Sequence, residues 1–260
     1  MNLNLTGKTA LVCGSTQGLG YASAVELALL GCNIILFARN EESLKTALAS
    51  LPNNNQQHQY LVADFTDTAA VKTAIDAFVK NNTVHILVNN TGGPAGGPAL
   101  TARPEEFLLA FNNHLINNHN LVQAVVPGMK AAGFGRIINI ISTSVKIPLA
   151  GLGVSNTIRG AVASWAKTLA TELGPFGITV NNVLPGFTKT SRADYVITKK
   201  AADTGKTEEA VMAELVAEIP AGRIGKPEEF GAVVAFLSSP VAAYVNGINL
   251  PVDGGRLGCL

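Results

Sequence analysis

Short apolar runs alternate along the chain with longer stretches in which apolar residues recur at helical spacing. The runs are rich in β-branched residues and predict buried strands at 9–13, 33–37, 59–62, 84–88, 136–141 and 179–183. The stretches between them predict helices at 19–30, 41–50, 68–80, 104 to about 132, and 152–173. Uniformly apolar strands linked by helices indicate an α/β fold in which a parallel sheet is covered by helices on both faces.

Two connecting segments stand out by length or glycine content. Residues 91–99 read TGGPAGGPA, and residues 186–222 contain only one further helical patch, around 207–218. Both segments leave the carboxyl ends of predicted strands, which is where ligands bind in open parallel sheets. We therefore expect both segments to form walls of a substrate site, with a lid at about 187–222.

Composition favours one compact domain over residues 1–260. The chain is 47% hydrophobic and 14% charged, with a formal net charge of +1 and no basic run, so nucleic acid is not an expected partner. Cys13, Cys32 and Cys259 stand singly and are interpreted as apolar packing residues, and no metal site is expected. No signal peptide or membrane-length apolar stretch is evident, so the expected location is the cytoplasm, away from membranes.

A glycine-rich turn lies between the first predicted strand and the first predicted helix. It comprises Gly14, Ser15, Thr16, Gln17, Gly18, Leu19 and Gly20. Glycines let the backbone approach a pyrophosphate, and the helix N-terminus presents free N–H groups to it. The position of this turn predicts a dinucleotide-binding loop, although the same pattern by itself also describes an ordinary turn.

The residue after the second predicted strand bears on the choice of cofactor. An acidic residue there usually binds the ribose 2′-hydroxyl of NAD(H), but this chain has Arg39, preceded by Ala38. A guanidinium can bind a 2′-phosphate through its planar fork, whereas a solvated surface arginine is the alternative interpretation. The missing acid favours NADP(H) over NAD(H).

Over nearly its whole length the chain resembles the short-chain dehydrogenase/reductase family, and within it the 3-oxoacyl-(acyl-carrier-protein) reductases. Beyond the glycine turn, the resemblance rests on Asp64-Phe65, on the segment Asn89-Asn90-Thr91-Gly92, on Pro185-Gly186-Phe187-Thr188, and on 222–229 with 252–255. It implies a Rossmann-type doubly wound sheet of seven strands and a homo-oligomer, either a tetramer or a dimer. It also implies cofactor contacts from Asp64, Phe65, Asn90, Thr91, Gly92, Pro185, Gly186 and Thr188.

The resemblance places unusual residues at the catalytic centre. The family has a Tyr and, four residues later, a Lys on one helical face; the equivalent positions here are Ser155 and Arg159. The strand serine of the family corresponds to Ser142. Ser155 is a weak acid compared with a phenol, whereas Arg159 keeps a positive charge that can still contact the cofactor.

Two further residues are candidates for proton transfer. His114 aligns with an asparagine that supports a water relay in the family, but a shift of one residue would place Asn113 there. A helix-borne histidine bonded to backbone or water is the competing interpretation of His114. The string Tyr195-Val196-Ile197-Thr198-Lys199 matches the Tyr/Lys spacing, but it lies in the lid segment and is interpreted as a chance match.

Three hypotheses about function follow. The first is an NADP(H)-dependent oxidoreductase acting on a carbonyl or an alcohol, in which Ser142 and neighbouring groups stabilise the reacting oxygen. The second is a non-catalytic NADP(H)-binding protein or oligomeric partner that has lost turnover. The third is different chemistry on the same fold, in which Arg159 and the 91–99 loop bind an anionic small-molecule substrate.

Overall fold

A computed structural model describes residues 1–259 of the chain. Seven parallel strands form one sheet in the order β3-β2-β1-β4-β5-β6-β7. The strands are β1 (Thr9–Cys13), β2 (Asn33–Ala38), β3 (Gln59–Val62), β4 (Ile86–Asn89), β5 (Gly135–Ile140), β6 (Ile178–Pro185) and β7 (Asn249–Val252). The predicted doubly wound α/β sheet is therefore confirmed.

Nine α-helices connect and cover the strands within the described residues. They are α1 (Gly18–Leu29), α2 (Glu41–Ala49), α3 (Thr68–Val79), α4 (Pro104–Phe111), α5 (Asn117–Ala132), α6 (Gly153–Leu173), α7 (Ser191–Thr204), α8 (Glu208–Ala217) and α9 (Pro227–Ser238). None of these helices is both long and apolar enough to cross a membrane.

Each face of the sheet has its own core. On one face, Leu27 of α1 and Val234 of α9 belong to the buried cluster that contains Leu36 and Val88. On the other face, Ile75 of α3 and Leu121 of α5 are in the cluster that contains Leu87. Because successive strand residues point to opposite faces, burial on both sides requires the nearly unbroken apolar runs seen in the sequence.

The order in which the chain adds strands reverses between β1 and β4. From β1 the chain moves outward through β2 to β3, then crosses back and continues from β4 through β5 and β6 to β7. The loops after β1 and β4 therefore run to opposite sides and leave a crevice at their carboxyl ends. This crevice is where the fold places a ligand.

One predicted helix is interrupted. The expected helix from 104 to about 132 is α4 followed by α5, with a π-helical turn at Asn112–Ile116 between them. Single π turns inside helices often mark functional sites, since the extra residue redirects the side chains that follow. Apolar periodicity carries no signal for such an insertion.

The segment after β6 contains more helix than expected. The predicted patch at 207–218 corresponds to α8, but α7 was not predicted and precedes it. The Thr190 side chain caps α7 by accepting a hydrogen bond from the Ala193 N–H at 3.3 Å. Ile197 of α7 and Val211 of α8 are buried against each other in a small cluster of their own, so the two helices form one unit.

The packing interpretation of the cysteines is confirmed for two of the three. Cys13 and Cys32 are buried, and burial raises the pKa of both thiols, that of Cys32 to about 12. The interpretation is wrong for Cys259, which is exposed because it lies beyond β7, after the last strand of the sheet.

Four asparagines form a ladder across the sheet. Asn89, Asn139, Asn182 and Asn249 occupy matching positions on β4, β5, β6 and β7. Each amide nitrogen donates to the next amide oxygen, at 2.8 Å, 2.9 Å and 2.8 Å in turn. The ladder ties four strands together, and it begins at Asn89, the last residue of β4, next to the loop that follows this strand.

Candidate functional site

A cleft of about 730 Å³ opens over the carboxyl ends of the strands. Its walls come from the loops after β1, β2, β3 and β4, from the end of β5, from α6, and from the segment that begins α7. The lining includes Gly14, Thr16, Gln17, Gly18, Leu19, Arg39, Asp64, Phe65, Asn90, Thr91, Gly92, Arg159, Pro185, Gly186 and Thr188. Every one of these fifteen residues was among the predicted cofactor contacts.

The glycine turn is shaped by close packing against Asn90. Gly14 has a φ of 56°, and a Cβ atom there would lie 2.8 Å from the Asn90 amide nitrogen. A Cβ atom at Gly20 would lie 2.3 Å from the Gly14 carbonyl oxygen. These positions accept only glycine without movement of the turn, which brings bare backbone to the cleft.

Two predicted residues of the turn support it from behind the lining. Ser15 is buried, and its hydroxyl accepts a hydrogen bond from the Phe37 N–H at 2.9 Å, which fixes the turn to β2. Gly20 lies inside the first turn of α1, where it allows the helix to approach Gly14. Gln17 precedes α1 and makes no side-chain capping bond, so the N-terminal N–H groups of the helix remain available for a ligand.

A cation and an anion flank the cleft beyond β2 and β3. Arg39 is exposed and forms no salt bridge with any residue of the described chain. Asp64 accepts hydrogen bonds from the backbone and hydroxyl of Thr66, both at 2.9 Å, and these bonds, with a smaller effect of Arg39, lower its pKa. The Arg39 guanidinium is thus free for a ligand, while Asp64 is held as a carboxylate.

The central wall of the cleft is tied together through backbone carbonyls. The Asn90 amide donates to the carbonyl oxygens of Cys13 at 3.3 Å and Gly14 at 3.1 Å, which joins the ends of β1 and β4. Gly186 packs against the tail, since a Cβ atom there would lie 2.4 Å from the Asp253 Cα. The segments 185–188 and 252–255, which the resemblance singled out, therefore meet in the fold.

Among the four predicted catalytic residues, only Arg159 lines the cleft. It is 7% exposed, and its Nη1 atom donates to the Ile140 carbonyl oxygen at 3.2 Å. Its Nε atom is buried and has no partner within the described residues, and burial lowers its pKa to about 10.

The other three predicted catalytic residues lie outside the lining. Ser142 is half-buried after β5, and its hydroxyl accepts from the Ser144 N–H at 3.1 Å. Ser155 is half-buried on α6, one helical turn before Arg159. His114 is 2% exposed in the π turn, and burial together with the charge of Arg159 lowers its pKa to about 3.

Asn113 takes the position of His114 if the alignment with the family is shifted by one residue. Asn113 lines the cleft, and its side-chain oxygen has no hydrogen-bond partner in the part of the chain that is described. Tyr195 is 57% exposed on α7, outside the cleft lining, and the Arg192 guanidinium lies 5.3 Å from its ring centroid. The interpretation of the Tyr195 string as a chance match stays a prediction.

The start of α7 supplies cleft residues that were not predicted. They are Thr190, Ser191, Arg192, Ala193 and Val196. A Thr followed at once by Ser and Arg is a helix-start signal that would have indicated α7. The signal does not show that this helix start lies against Gly18. A Cβ atom added at Gly18 would lie 3.7 Å from the Thr190 Cγ2 atom.

No cluster of three or more potential metal ligands occurs among residues 1–259. The polar groups of the cleft are backbone N–H groups, amides, hydroxyls, arginines and the Asp64 carboxylate. The donors among these groups bind phosphates and other oxyanions, the arginines through charge-assisted hydrogen bonds.

A family model described as enoyl-(acyl carrier protein) reductase matches residues 14–256. The chain is 35% identical to the 3-oxoacyl-(acyl-carrier-protein) reductase FabG of Vibrio cholerae serotype O1, over 97% of this chain and 98% of that protein. It is 33% identical to the short-chain reductase protein NovJ of Streptomyces niveus, over 95% of this chain and 93% of that protein. The chain belongs to the short-chain dehydrogenase/reductase family.

The fold has counterparts among solved structures. The crystal structure of L-sorbose reductase from Gluconobacter frateurii, complexed with NADPH and L-sorbose, superposes with a TM-score of 0.93 at 30% identity, covering 100% of both chains. These relatives are reductases, and the predicted resemblance to the 3-oxoacyl-(acyl-carrier-protein) reductases is confirmed.

Proposed function

We propose that this protein is an NADP(H)-dependent oxidoreductase that interconverts a carbonyl group and an alcohol by a proton route without the usual tyrosine. The observation that carries the proposal is the glycine cradle of Gly14 and Gly20 at the N-terminus of α1, with the unpaired Arg39 beside it. The cradle has the form that a pyrophosphate requires, and Arg39 suits a 2′-phosphate. The solved relative with bound NADPH supports the same cofactor.

Each group of residues would hold one part of the cofactor. Backbone N–H groups at the start of α1 would bind the pyrophosphate, Arg39 the 2′-phosphate, and Asp64 with Phe65 the adenine end. Asn90, Thr91 and Gly92 would face the central part, and Pro185, Gly186 and Thr188 the nicotinamide end. When bound, the cofactor supplies or accepts the hydride.

The proposed proton route depends on residues after β5. Ser142 would orient the substrate oxygen, because its hydroxyl accepts from the Ser144 N–H and retains its own hydrogen for donation. Ser155 would be too weak an acid to replace a phenol, so Arg159 would stabilise negative charge on the oxygen instead. Proton assistance of this weaker kind costs about 10²–10⁴-fold in rate relative to a matched general acid.

A second candidate function is supported by one observation. Ser142, Ser155 and His114 lie outside the cleft lining, whereas fifteen of the predicted cofactor contacts lie in it. A protein that retains its cofactor cleft and lacks proton transfer would bind NADP(H) without turnover. It would then serve as a cofactor-holding partner in an oligomer.

The test begins with fluorescence titration of NADPH and NADH, followed by NADPH oxidation with a panel of ketones, 3-oxoacyl thioesters and sugars. We expect tighter binding of NADPH than of NADH, and slow oxidation with at least one carbonyl compound. Ser142→Ala should abolish that oxidation and leave NADPH binding unchanged. Ser164→Ala, an exposed hydroxyl on α6, is the matched control.

The outcomes separate the two functions. Binding of NADPH without oxidation of any carbonyl compound would favour the non-catalytic protein. Absence of NADPH binding would exclude both functions. Full oxidation activity in Ser142→Ala would remove Ser142 from the proton route while leaving the oxidoreductase in place.

A further inference from the structure

Arg159 is a buried cation for which the described chain provides no counter-ion. It is 7% exposed and forms no salt bridge, and burial alone accounts for its lowered pKa. Its Nη1 atom donates to the Ile140 carbonyl oxygen, and its Nε atom has no partner within the described residues. Buried charges in proteins are normally paired, because removing an ion from water without a partner costs several kcal/mol.

A second buried arginine shows how this fold satisfies such a group elsewhere. Arg136, at the opposite end of β5, is 2% exposed and donates to the carbonyl oxygens of Ser239, Gly135 and Gly177. Its guanidinium also lies 4.2 Å from the ring centroid of Phe134. Arg159 donates to one carbonyl oxygen, whereas Arg136 donates to three and also contacts an aromatic ring. The difference is that Arg159 borders the cleft, so its remaining partner can come from a ligand.

The negative charges already in or expected in the cleft have partners elsewhere. Asp64, the acidic residue of the lining, follows β3, four strand positions from β5, or about 19 Å across the sheet. The turn at Gly14 follows β1, two strand positions or about 10 Å away, and Arg39 follows β2, about 14 Å away. The proposed phosphate sites therefore lie about 10–14 Å along the sheet from β5, the strand whose Ile140 carbonyl oxygen holds Arg159.

We infer that Arg159 anchors an anion-binding subsite that receives a carboxylate carried by the substrate next to its reacting carbonyl, so that the substrate is an oxo acid. This inference rests on the proposed function, since it names the substrate class of the same cleft. A guanidinium presents two parallel N–H groups to a carboxylate, which gives orientation as well as charge. The Asn113 side chain also lines the cleft, and its amide nitrogen is a hydrogen-bond donor for a carboxylate.

The experiment compares ligands that differ chiefly in charge, with one methyl group as the other difference. Acetoacetate and 2-oxobutanoate are added, each beside its methyl ester, to the protein with and without saturating NADP⁺, and thermal unfolding is followed. We expect the acids to raise the Tm of the wild-type protein and the esters to leave it unchanged. In Arg159→Met, the affinity for the acids should fall roughly 10- to 100-fold, as for loss of a charge-assisted hydrogen bond.

Control variants and a second readout make the result decisive. Arg103→Met removes an exposed arginine at the start of α4 and should keep the wild-type response. If Arg159→Met does not fold, Arg159→Gln replaces it, and each variant is compared with its own ligand-free Tm. NADPH titration of the same variants reports cofactor binding separately.

Several results would overturn the inference. They are an equal response to acid and ester, no response to either acid, and an undiminished acid response in Arg159→Met. A more than tenfold loss of NADPH affinity in Arg159→Met, without an acid response in the wild type, would assign Arg159 to a cofactor phosphate instead. A wild-type protein that binds the acids but never NADPH would contradict the proposed function and retain the anion subsite.

Discussion

The cleft is built from two regions that present different chemistry. Around β1 and β2, the wall consists of bare backbone at Gly14 and Gly18, the free N–H groups of α1, and the exposed Arg39. Around β5 and α6, polar side chains are buried, as in His114, Asn139 and Arg159. The hydrogen-bonding groups of the first region are available to a ligand. Most of those in the second region are bonded to other groups of the protein.

The difference shows how each region obtains specificity. A backbone cradle keeps its donors in place through glycine geometry, so it needs few side-chain contacts. A buried polar network is held by mutual hydrogen bonds, and a change in one member leaves another unpaired. We therefore expect substitutions near β1 to affect ligand binding most, and substitutions near β5 to affect stability most.

The largest effect expected from this comparison is that of Gly20→Ala. The new methyl group would lie 2.3 Å from the Gly14 carbonyl oxygen, so the turn has to move. NADPH binding, measured by fluorescence, should weaken by roughly 100-fold or more, with a loss of about 1–3 kcal/mol in the free energy of unfolding. Gly160→Ala on α6 meets no atom within 4 Å and should stabilise by up to about 1 kcal/mol. Unchanged NADPH binding in Gly20→Ala would contradict the cradle.

Asn139→Ala tests the second region. It removes the middle of the ladder, so that Asn89 loses its acceptor and Asn182 its donor. We expect urea unfolding to show a loss of about 2–4 kcal/mol, since each buried unpaired group costs about 1–3 kcal/mol. Asn81→Ala, at an exposed position, should stay within about 0.5 kcal/mol. A loss no larger than that of the control would show that the ladder contributes no stability.

Arg39→Gln tests ligand binding in the first region. NADPH affinity should fall roughly 10- to 100-fold, because the charge-assisted bonds to the 2′-phosphate are worth about 1.5–3 kcal/mol. NADH affinity should stay nearly constant, since NADH lacks that phosphate. Both affinities are measured by fluorescence titration, with Arg103→Gln as the control. Equal losses for the two cofactors would contradict the assignment of Arg39.

His114→Asn is expected to have an effect at acidic pH alone. The folded protein holds the pKa of His114 at about 3, below the ordinary value of 6.5, so that only the unfolded chain takes up a proton as the pH falls below 6.5. The corresponding stability is complete above pH 6.5 and is lost as the pH falls towards 3. At pH 4.5 the wild-type protein should therefore have lost about 2–3 kcal/mol more than His114→Asn, relative to pH 7.5.

Chemical denaturation at the two pH values measures this difference. A comparison between pH 7.5 and 8.5, where His114 is uncharged in both states, is the internal control. Equal acid losses in the two proteins would mean that His114 becomes protonated without leaving its place in the π turn.

More of the first region than of the second could be predicted from the sequence. The strands, the glycine turn and Arg39 were predictable because each depends on local properties, namely apolar runs, glycine freedom and position directly after a strand. The helix α7 was missed because its hydrophobic signal is weak and its place is fixed by packing on α8 and by docking near Gly18. The π turn was missed because one inserted residue hardly changes apolar periodicity.

The sequence by itself determined the doubly wound sheet, the glycine-rich turn before α1 and the family, since these are set by periodic patterns and by short motifs in a fixed order. Only the tertiary structure decided which polar residues face the cleft. Asn113 and His114 are neighbours in sequence, yet Asn113 lines the cleft and His114 is buried beside Arg159. The physical reason is that a side chain's surroundings depend on the packing of α4, α5 and α6 against one another, which no local pattern records.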